Sequence, residues 1–162
     1  MAEEPADRHL PADSVSPAPT ASADANWHRP LAHIVAGALS GSTAQTPGMT
    51  RLEAVSGRTV GSENLWMGET HVGPGTNSGD HHHGEAETAI YVVSGTPRFV
   101  FLEDGHERII QTAPGDYVFV PPFTPHREEN PSADQPAVVV IARTTQEGTV
   151  VNLPNLWPSD RA

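Results

Sequence analysis

The 162-residue chain contains no cysteine. This absence excludes disulfide bonds, thiolate nucleophiles and metal sites built on thiolates. The chain also lacks any apolar run that approaches membrane-spanning length, and its acidic first residues lack the apolar core of a signal peptide. We therefore expect a cytoplasmic protein that makes no contact with a membrane.

Basic residues are scarce. Nine lysines and arginines stand against 20 aspartates and glutamates, which gives a formal net charge of −11. Binding to nucleic acid or to an anionic membrane requires a basic surface patch, so this balance argues against both. Beyond that, the charge indicates only that the protein is soluble and repels polyanions.

Large apolar side chains are nearly absent from residues 1–26, which consist mainly of Ala, Pro, Ser and Asp. Such a segment cannot bury enough surface to offset its ordering entropy, so we predict a disordered tail. Residues 27–49 differ, because the apolar residues between Leu31 and Leu39 recur at near-helical spacing. We predict an N-terminal arm or short helix there.

Residues 50–153 consist of short apolar runs separated by glycine and proline, with almost no helical periodicity. Asp104-Gly105 predicts a two-residue hairpin turn between two of these runs. Many short strands at regular turn spacing are typical of a sandwich or a barrel, so the predicted fold class is all-β. Residues 154–162 are predicted to form a C-terminal tail.

Three histidines stand in a row directly before a strand-like run, at His81, His82 and His83. Successive side chains of an extended backbone point to opposite faces, so His81 and His83 share one face and His82 takes the other. His126 follows another β run and could supply a third imidazole. Three imidazoles predict one divalent transition metal per chain, with Fe, Mn, Zn or Ni as the candidates.

Two stretches around these histidines resemble the two sequence motifs of the cupin family. The first comprises Gly75, His81, His83, Glu87 and Gly95, and the second comprises Gly115, Pro121, Phe123, His126 and Asn130. Phe123 stands where the second motif has glycine, while every spacing of that motif matches. The resemblance implies a cupin double-stranded β-helix, a jelly-roll barrel whose mouth holds the metal. It also implies Glu87 as the fourth metal ligand.

The first motif departs from the family pattern at this glutamate. Seven residues rather than six separate Glu87 from Gly95, so counting back from Gly95 puts Thr88 where the family keeps its glutamate. Neighbouring residues on a strand face opposite ways, so only one of the two can point at the metal unless a bulge intervenes. The sequence leaves both assignments open.

Aromatic residues make up only 6% of the chain, yet several cluster in the predicted strands beside the motifs. Small-molecule sites are mostly apolar with a few polar groups, and a guanidinium fits a substrate carboxylate. Arg127 is a further candidate for holding a carboxylate. The predicted substrate pocket comprises Arg98, Phe99, Phe101, Tyr117 and Phe119.

The resemblance implies small-molecule chemistry of the kind that cupin dioxygenases, isomerases and decarboxylases carry out. We favour a metal-dependent, oxygenase-type enzyme, with catalytic residues unassigned. The alternatives are a non-catalytic metal- or ligand-binding cupin, such as a sensor or storage module, and a metal-dependent isomerase or decarboxylase. Because a single jelly roll exposes sheet edges, we also expect a homodimer in which the segment Leu31–Leu39 or an edge strand crosses to the partner.

Overall fold

The computed structural model describes residues 30–146 and 149–157. The predicted tail at residues 1–26 lies outside these ranges, as do the last residues of the predicted C-terminal tail. Contacts divide the chain after Leu31, and every described helix and strand belongs to the unit Ala32–Ala162. None of the described helices has the length and apolar character needed to cross a membrane.

Short strands dominate the described residues. In chain order the elements are β1 (Met49–Val55), α1 (Gly57–Val60), β2 (Trp66–Val72), β3 (His81–His82), β4 (Thr88–Ser94), β5 (Arg98–Glu103), β6 (His106–Gln111), β7 (Tyr117–Val120), β8 (His126–Glu129), β9 (Ala137–Arg143) and β10 (Val151–Asn152). Within the predicted arm, the regular element is a 3-10 turn at Ala36–Ala38. The predicted all-β class is confirmed.

The strands form two five-stranded sheets with antiparallel pairing throughout. One sheet has the order β1-β2-β9-β4-β7 and the other has the order β10-β3-β8-β5-β6. The sequential neighbours β3 and β4, and likewise β8 and β9, lie in different sheets. The chain thus crosses repeatedly between two facing layers, as in the jelly-roll architecture that the motifs imply.

Alternating burial along the strands builds the core between the sheets. In β9 the odd-numbered residues are buried and the even-numbered ones are half-buried. Burial also alternates along β2 and along the first five residues of β4, where the even-numbered residues are the buried ones. Inward side chains from both sheets pack into one apolar cluster, and outward side chains meet solvent. This cluster comprises Trp66, Ile90, Val92, Phe99, Val118, Val120, Val139 and Ile141.

Two turns have the backbone conformations that their residues favour. Glu103 and His106 pair across Asp104-Gly105, whose φ angles are 51° and 79°, so the predicted two-residue hairpin is confirmed. Gly95 closes the first motif with φ 76°, and a Cβ there would lie 2.7 Å from the Cα of Ala137. Glycine is required at that position by both the backbone conformation and the close approach of β9.

Phe123 adopts the left-handed conformation, with φ 57°, at the position where the motif has glycine. Phe123 thus adopts a backbone conformation that favours glycine. The N–H of Phe123 donates to the carbonyl oxygen of Gly84 at 2.8 Å, and its ring lies 5.9 Å from the ring of His82. These two contacts hold a conformation that a bulky residue rarely adopts.

We expect Phe123→Gly to be more stable than Phe123→Ala by about 1 kcal/mol, because only glycine adopts positive φ without steric cost. Both substitutions lose the ring contact with His82, so their difference isolates the backbone contribution. Urea unfolding of the two variants measures it. Equal stabilities would show that the backbone at residue 123 relaxes once the ring is gone.

The edge strand β6 is exposed along its whole length, including 56% of Ile109. Phe119, on the edge strand β7 of the other sheet, is 60% exposed. Exposed apolar edge strands invite pairing with another chain. The edges thus keep the homodimer expectation open.

Light scattering at micromolar concentration is expected to give twice the chain mass of 17.2 kDa. Ile109→Lys tests β6 as the interface, because a charge on an edge strand opposes pairing. A monomeric variant would support that interface, and a dimeric one would leave the edge strand β7 and the segment Leu31–Leu39 as the candidates. A monomeric wild type would contradict the prediction.

Candidate metal centre

Three histidines converge on the inner face of the second sheet. His81 begins β3 and His126 begins β8, and the two residues are register partners in adjacent antiparallel strands. His83 follows β3 directly and returns to the same face as His81, as its spacing predicts. All three side chains are buried. His82 between them is half-buried and turns away, and its Nδ1 accepts from the N–H of Gly84 at 2.9 Å.

Backbone carbonyls hold the outer ring nitrogen of each histidine. The Nδ1 distances are 3.0 Å to the oxygen of Gly79 for His81, 3.2 Å to that of Thr149 for His83, and 2.9 Å to that of Thr124 for His126. A carbonyl can only accept, so each Nδ1 carries a proton and donates. The tautomer is thereby set, and each Nε2 lone pair is left for the interior.

The Nε2 atoms of the histidines lie close together, although their lone pairs repel one another. Nε2 of His83 is 3.2 Å from Nε2 of His126, and the ring centroids of the three histidines are 4.4 to 5.0 Å apart. With Nδ1 protonated on both rings, neither Nε2 can donate to the other. A shared cation resolves this conflict, so the donor set fits a metal ion.

Glu128 supplies the carboxylate of this cluster. It follows His126 by two residues on β8, so both side chains share the inner face. One ligand atom from each of the four residues lies within 4.8 Å of the others, and all four side chains are buried. The motif did not point to Glu128, but the His-Arg-Glu alternation at the start of β8 was a signal that could have found it.

Glu87 lies outside the cluster. Its side chain is exposed, and its backbone is tied to Thr144 by hydrogen bonds of 3.1 and 3.2 Å. β4 begins one residue later, so Thr88 takes the inward position and is fully buried. Of the two assignments that the sequence left open, the structure turns Thr88 toward the interior.

Burial sets the protonation of the cluster. It is the main cause that lowers the pKa of His81 to about 4 and the pKa of His83 to about 2. The charge of His126 is the second cause for His81, and that of Arg143 is the second cause for His83. Both rings are therefore neutral at physiological pH, as metal ligation requires.

We expect the metal-free protein to lose stability as the pH falls below about 6.5, the ordinary histidine value. Unfolded histidines take up protons there while buried His81 and His83 stay neutral, so protons favour unfolding. The slope approaches about 1.4 kcal/mol per pH unit for each histidine. Urea unfolding between neutral pH and the onset of carboxylate titration measures it. Flat stability across that window would contradict it.

The predicted pocket residues divide into two groups. Phe99, Phe101 and Phe119 line a cavity of about 220 Å³ that has His126 in its wall. Arg98 instead pairs with Glu129 at 2.6 Å, outside that cavity. Tyr117 is 79% exposed and packs on Tyr91, and it does not line the cavity either.

Arg127, the other sequence candidate for a substrate carboxylate, is engaged elsewhere. Its Nε donates to Glu129 at 2.7 Å, and its Nη atoms reach Asp80 and Glu107. Asn130 ties the turn after β8, since its amide donates to the carbonyl oxygens of Val72 and Gln135. Neither Arg127 nor Asn130 lines the cavity beside the cluster.

The fold and the cluster together define a class: a two-sheet antiparallel β-sandwich with three histidines and one carboxylate gathered on an inner face, where they could hold a metal ion. Residues 68–142 match the family described as "Cupin domain". The match includes His81, His83 and His126, and the two facing sheets agree with the cupin jelly roll. The chain belongs to the cupin superfamily.

Known proteins resemble the chain in two ways. A 3-hydroxyanthranilate 3,4-dioxygenase from Cupriavidus pinatubonensis is 30% identical over 91 residues, which cover 54% of this chain and 48% of the relative. Oxalate decarboxylase from Bacillus subtilis superposes with a TM-score of 0.58 at 27% identity, over 67% of this chain and 28% of that one.

A further structure of the same decarboxylase comes from work on its Mn(II) centres. It superposes with a TM-score of 0.59 at 26% identity, over 68% of this chain and 29% of the other. The chain thus spans about half the length of the curated relative and less than a third of these solved chains.

Proposed function

We propose that this chain is a metal-dependent enzyme that acts on a small organic molecule, with dioxygenase-type chemistry. The observation that carries the proposal is the convergence of three inward Nε2 atoms and one carboxylate beside an apolar cavity. A fixed ligand set next to space for an organic ligand is the arrangement that a metal-dependent small-molecule site requires.

His81, His83, His126 and Glu128 would hold the metal. Imidazole nitrogens with one carboxylate suit Fe, Mn, Zn or Ni, and the carboxylate favours Fe and Mn. A redox-active metal held by these four residues would supply one-electron chemistry with dioxygen. We assign one such metal to each chain.

The chain's own residues perform the remaining tasks. The carbonyls of Gly79, Thr149 and Thr124 orient the imidazoles, so the ligand geometry is set before binding. Phe99, Phe101 and Phe119 offer an apolar wall that excludes water from a bound organic body. These roles orient the metal ligands and place an organic ligand beside His126.

Similarity to a dioxygenase favours oxygen chemistry over other cupin reactions. The test is anaerobic loading with Fe(II), followed by admission of air and measurement of oxygen uptake with 3-hydroxyanthranilate. Uptake that depends on both substrate and iron, and that is lost in His126→Ala, supports the proposal. Bound iron with no substrate-dependent uptake for that compound or for related aromatic acids would contradict the dioxygenase assignment.

The fold similarity to oxalate decarboxylase supports a second candidate, a metal-dependent decarboxylase. Loading with Mn(II) and measuring carbon dioxide release from oxalate tests it on the same preparation. Metal binding without either activity would leave the non-catalytic alternative, a metal- or ligand-binding sensor or storage module.

A further inference from the structure

Two arginines are buried in the same interior as the ligand cluster. Arg143 ends β9 and is 2% exposed, and Arg51 lies within β1 and is 3% exposed. Buried guanidinium groups are costly unless an anion or hydrogen bonds compensate them. Burial lowers the pKa of Arg143 to about 10, so the group still carries its charge at neutral pH. Arg51 is partly satisfied, because its Nη1 donates to the carbonyl oxygen of Ala44 at 3.0 Å, so Arg143 is the group that most needs a partner.

The contacts of Arg143 leave its donors unused. The face of its guanidinium lies over the ring of Trp66, with 5.7 Å to the centroid. This cation–π contact covers the face, but it cannot satisfy the N–H groups at the edge. Neither Nε nor Nη1 finds a hydrogen-bond partner among the described residues, although both atoms are buried. At least two charged donors are thus free for a ligand.

Thr88, on the strand next to Arg143, has the same deficit. It is the register partner of Arg143 in the adjacent strand, it is fully buried, and its Oγ1 has no partner within the described ranges. Its other register partner is Val120, which lines the 220 Å³ cavity. Thr88 also occupies the place where the cupin motif keeps its glutamate. The chain thus has a neutral hydroxyl at a position where the motif has a carboxylate.

The charges of this interior do not balance. Glu128 is the acidic group whose field acts on both Arg51 and Arg143. The two other buried carboxylates among the described residues, Glu53 and Glu129, already pair with other arginines. Two guanidinium groups against one carboxylate leave a formal excess of one positive charge, and a divalent metal would add two more. An anionic ligand would restore the balance.

We propose that Arg143 and Thr88 form a subsite for the carboxylate of a small organic ligand, next to the histidine cluster, with Arg51 adding to its positive field. A carboxylate accepts from a guanidinium and a hydroxyl at once, and its negative charge reduces the positive excess. The apolar cavity beyond Val120 takes the organic body. The proposal rests on the proposed function, since it names the substrate class of that metal centre.

Titration calorimetry with acetate and its neutral isostere acetamide tests the subsite, on metal-free and on zinc-loaded full-length protein. Acetate is expected to bind with one site per chain, and acetamide at least roughly tenfold more weakly, as for a hydrogen-bonded charge. Zinc and acetate should strengthen each other's binding by the same factor, because coupling between two ligands is reciprocal. Equal binding of acetate and acetamide would overturn the proposal.

Arg143→Gln and Thr88→Val locate the subsite, and Arg108→Gln is the matched control because Arg108 lies on the exposed strand β6. Acetate affinity should fall at least roughly tenfold in Arg143→Gln, less in Thr88→Val, and not at all in the control. Thr88→Val keeps the shape of the side chain, so it gives an answer even where Arg143→Gln fails to fold. Unchanged acetate binding in both variants would overturn the proposal.

Thermal melting separates a ligand-binding arginine from a packing one. Without ligand, Arg143→Gln should melt at or above the wild-type temperature, since it removes one of two buried positive charges that share the single carboxylate of Glu128. A lower melting temperature with unchanged acetate binding would assign Arg143 to its packing on Trp66 and reject the subsite. Zinc binding without acetate binding would reject the subsite and keep the metal centre. Arg143-dependent acetate binding without zinc binding would keep the subsite and reject the metal centre.

Discussion

His126→Ala is expected to abolish stoichiometric metal binding. His126 is the ligand that joins the two sequence motifs, and its Nε2 lies 3.2 Å from that of His83. Loss of a residue that merely orients a metal ligand costs roughly 10- to 100-fold in affinity, so loss of the ligand itself should cost more than that. Competition with a fluorescent zinc chelator measures the affinity, and elemental analysis of the purified protein measures the stoichiometry.

His82→Ala is the matched control for this experiment. It removes an imidazole one residue from two proposed ligands, but its ring turns away from the cluster and packs near Phe123. Metal content should stay close to wild type. Full metal retention in His126→Ala, or loss of metal in His82→Ala alone, would overturn the ligand assignment. Circular dichroism of both variants verifies that the barrel still forms.

The histidines could be predicted because their signal is local. Period-two alternation puts His81 and His83 on one face whatever the rest of the chain does. Motif spacing then brings His126 to the same layer, and the structure places it in register with His81. The Asp104-Gly105 hairpin was predictable for the same reason, since the turn residues alone specify it.

Motif spacing could not decide whether Glu87 or Thr88 points inward, because that depends on the residue at which β4 begins. A start of β4 at Thr88 turns Glu87 outward, and a shift by one residue would exchange the two. Pairing of Thr88 with both Val120 and Arg143 holds the observed register. These contacts join strands that are distant in sequence, so they cannot be predicted from the sequence around Thr88 alone.

The positions of the aromatic and arginine residues also depend on contacts between residues that are distant in sequence. Phe99 and Phe119 face a common cavity because β5 and β7 lie in opposite sheets, which only the strand order reveals. Arg98 could be recognised as a cation, but its partner Glu129 lies 31 positions further along the chain. Arg143 is the last residue of a buried strand, and nothing in the neighbouring sequence indicates that its donors are unpaired.

Glu128→Gln is expected to weaken metal binding and to destabilise the metal-free fold, whereas Glu87→Gln should do neither. The amide that replaces the carboxylate of Glu128 keeps the shape of the side chain but loses the charge that faces both buried guanidinium groups. Removing the compensating charge of a buried group costs on the order of 3 kcal/mol. Glu87 is exposed, so its substitution should stay within about 0.5 kcal/mol of wild type.

Urea unfolding of the metal-free variants measures the loss of stability, and chelator competition measures the metal affinity. A ligand role for Glu128 requires both to fall together, with affinity lower by at least roughly 10-fold. A fall in stability alone would make Glu128 a counter-ion of Arg51 and Arg143 and leave the metal to three histidines. A fall in metal affinity for Glu87→Gln would instead require the register of β4 to shift by one residue in the metal-bound protein, with Glu87 turned inward in place of Thr88.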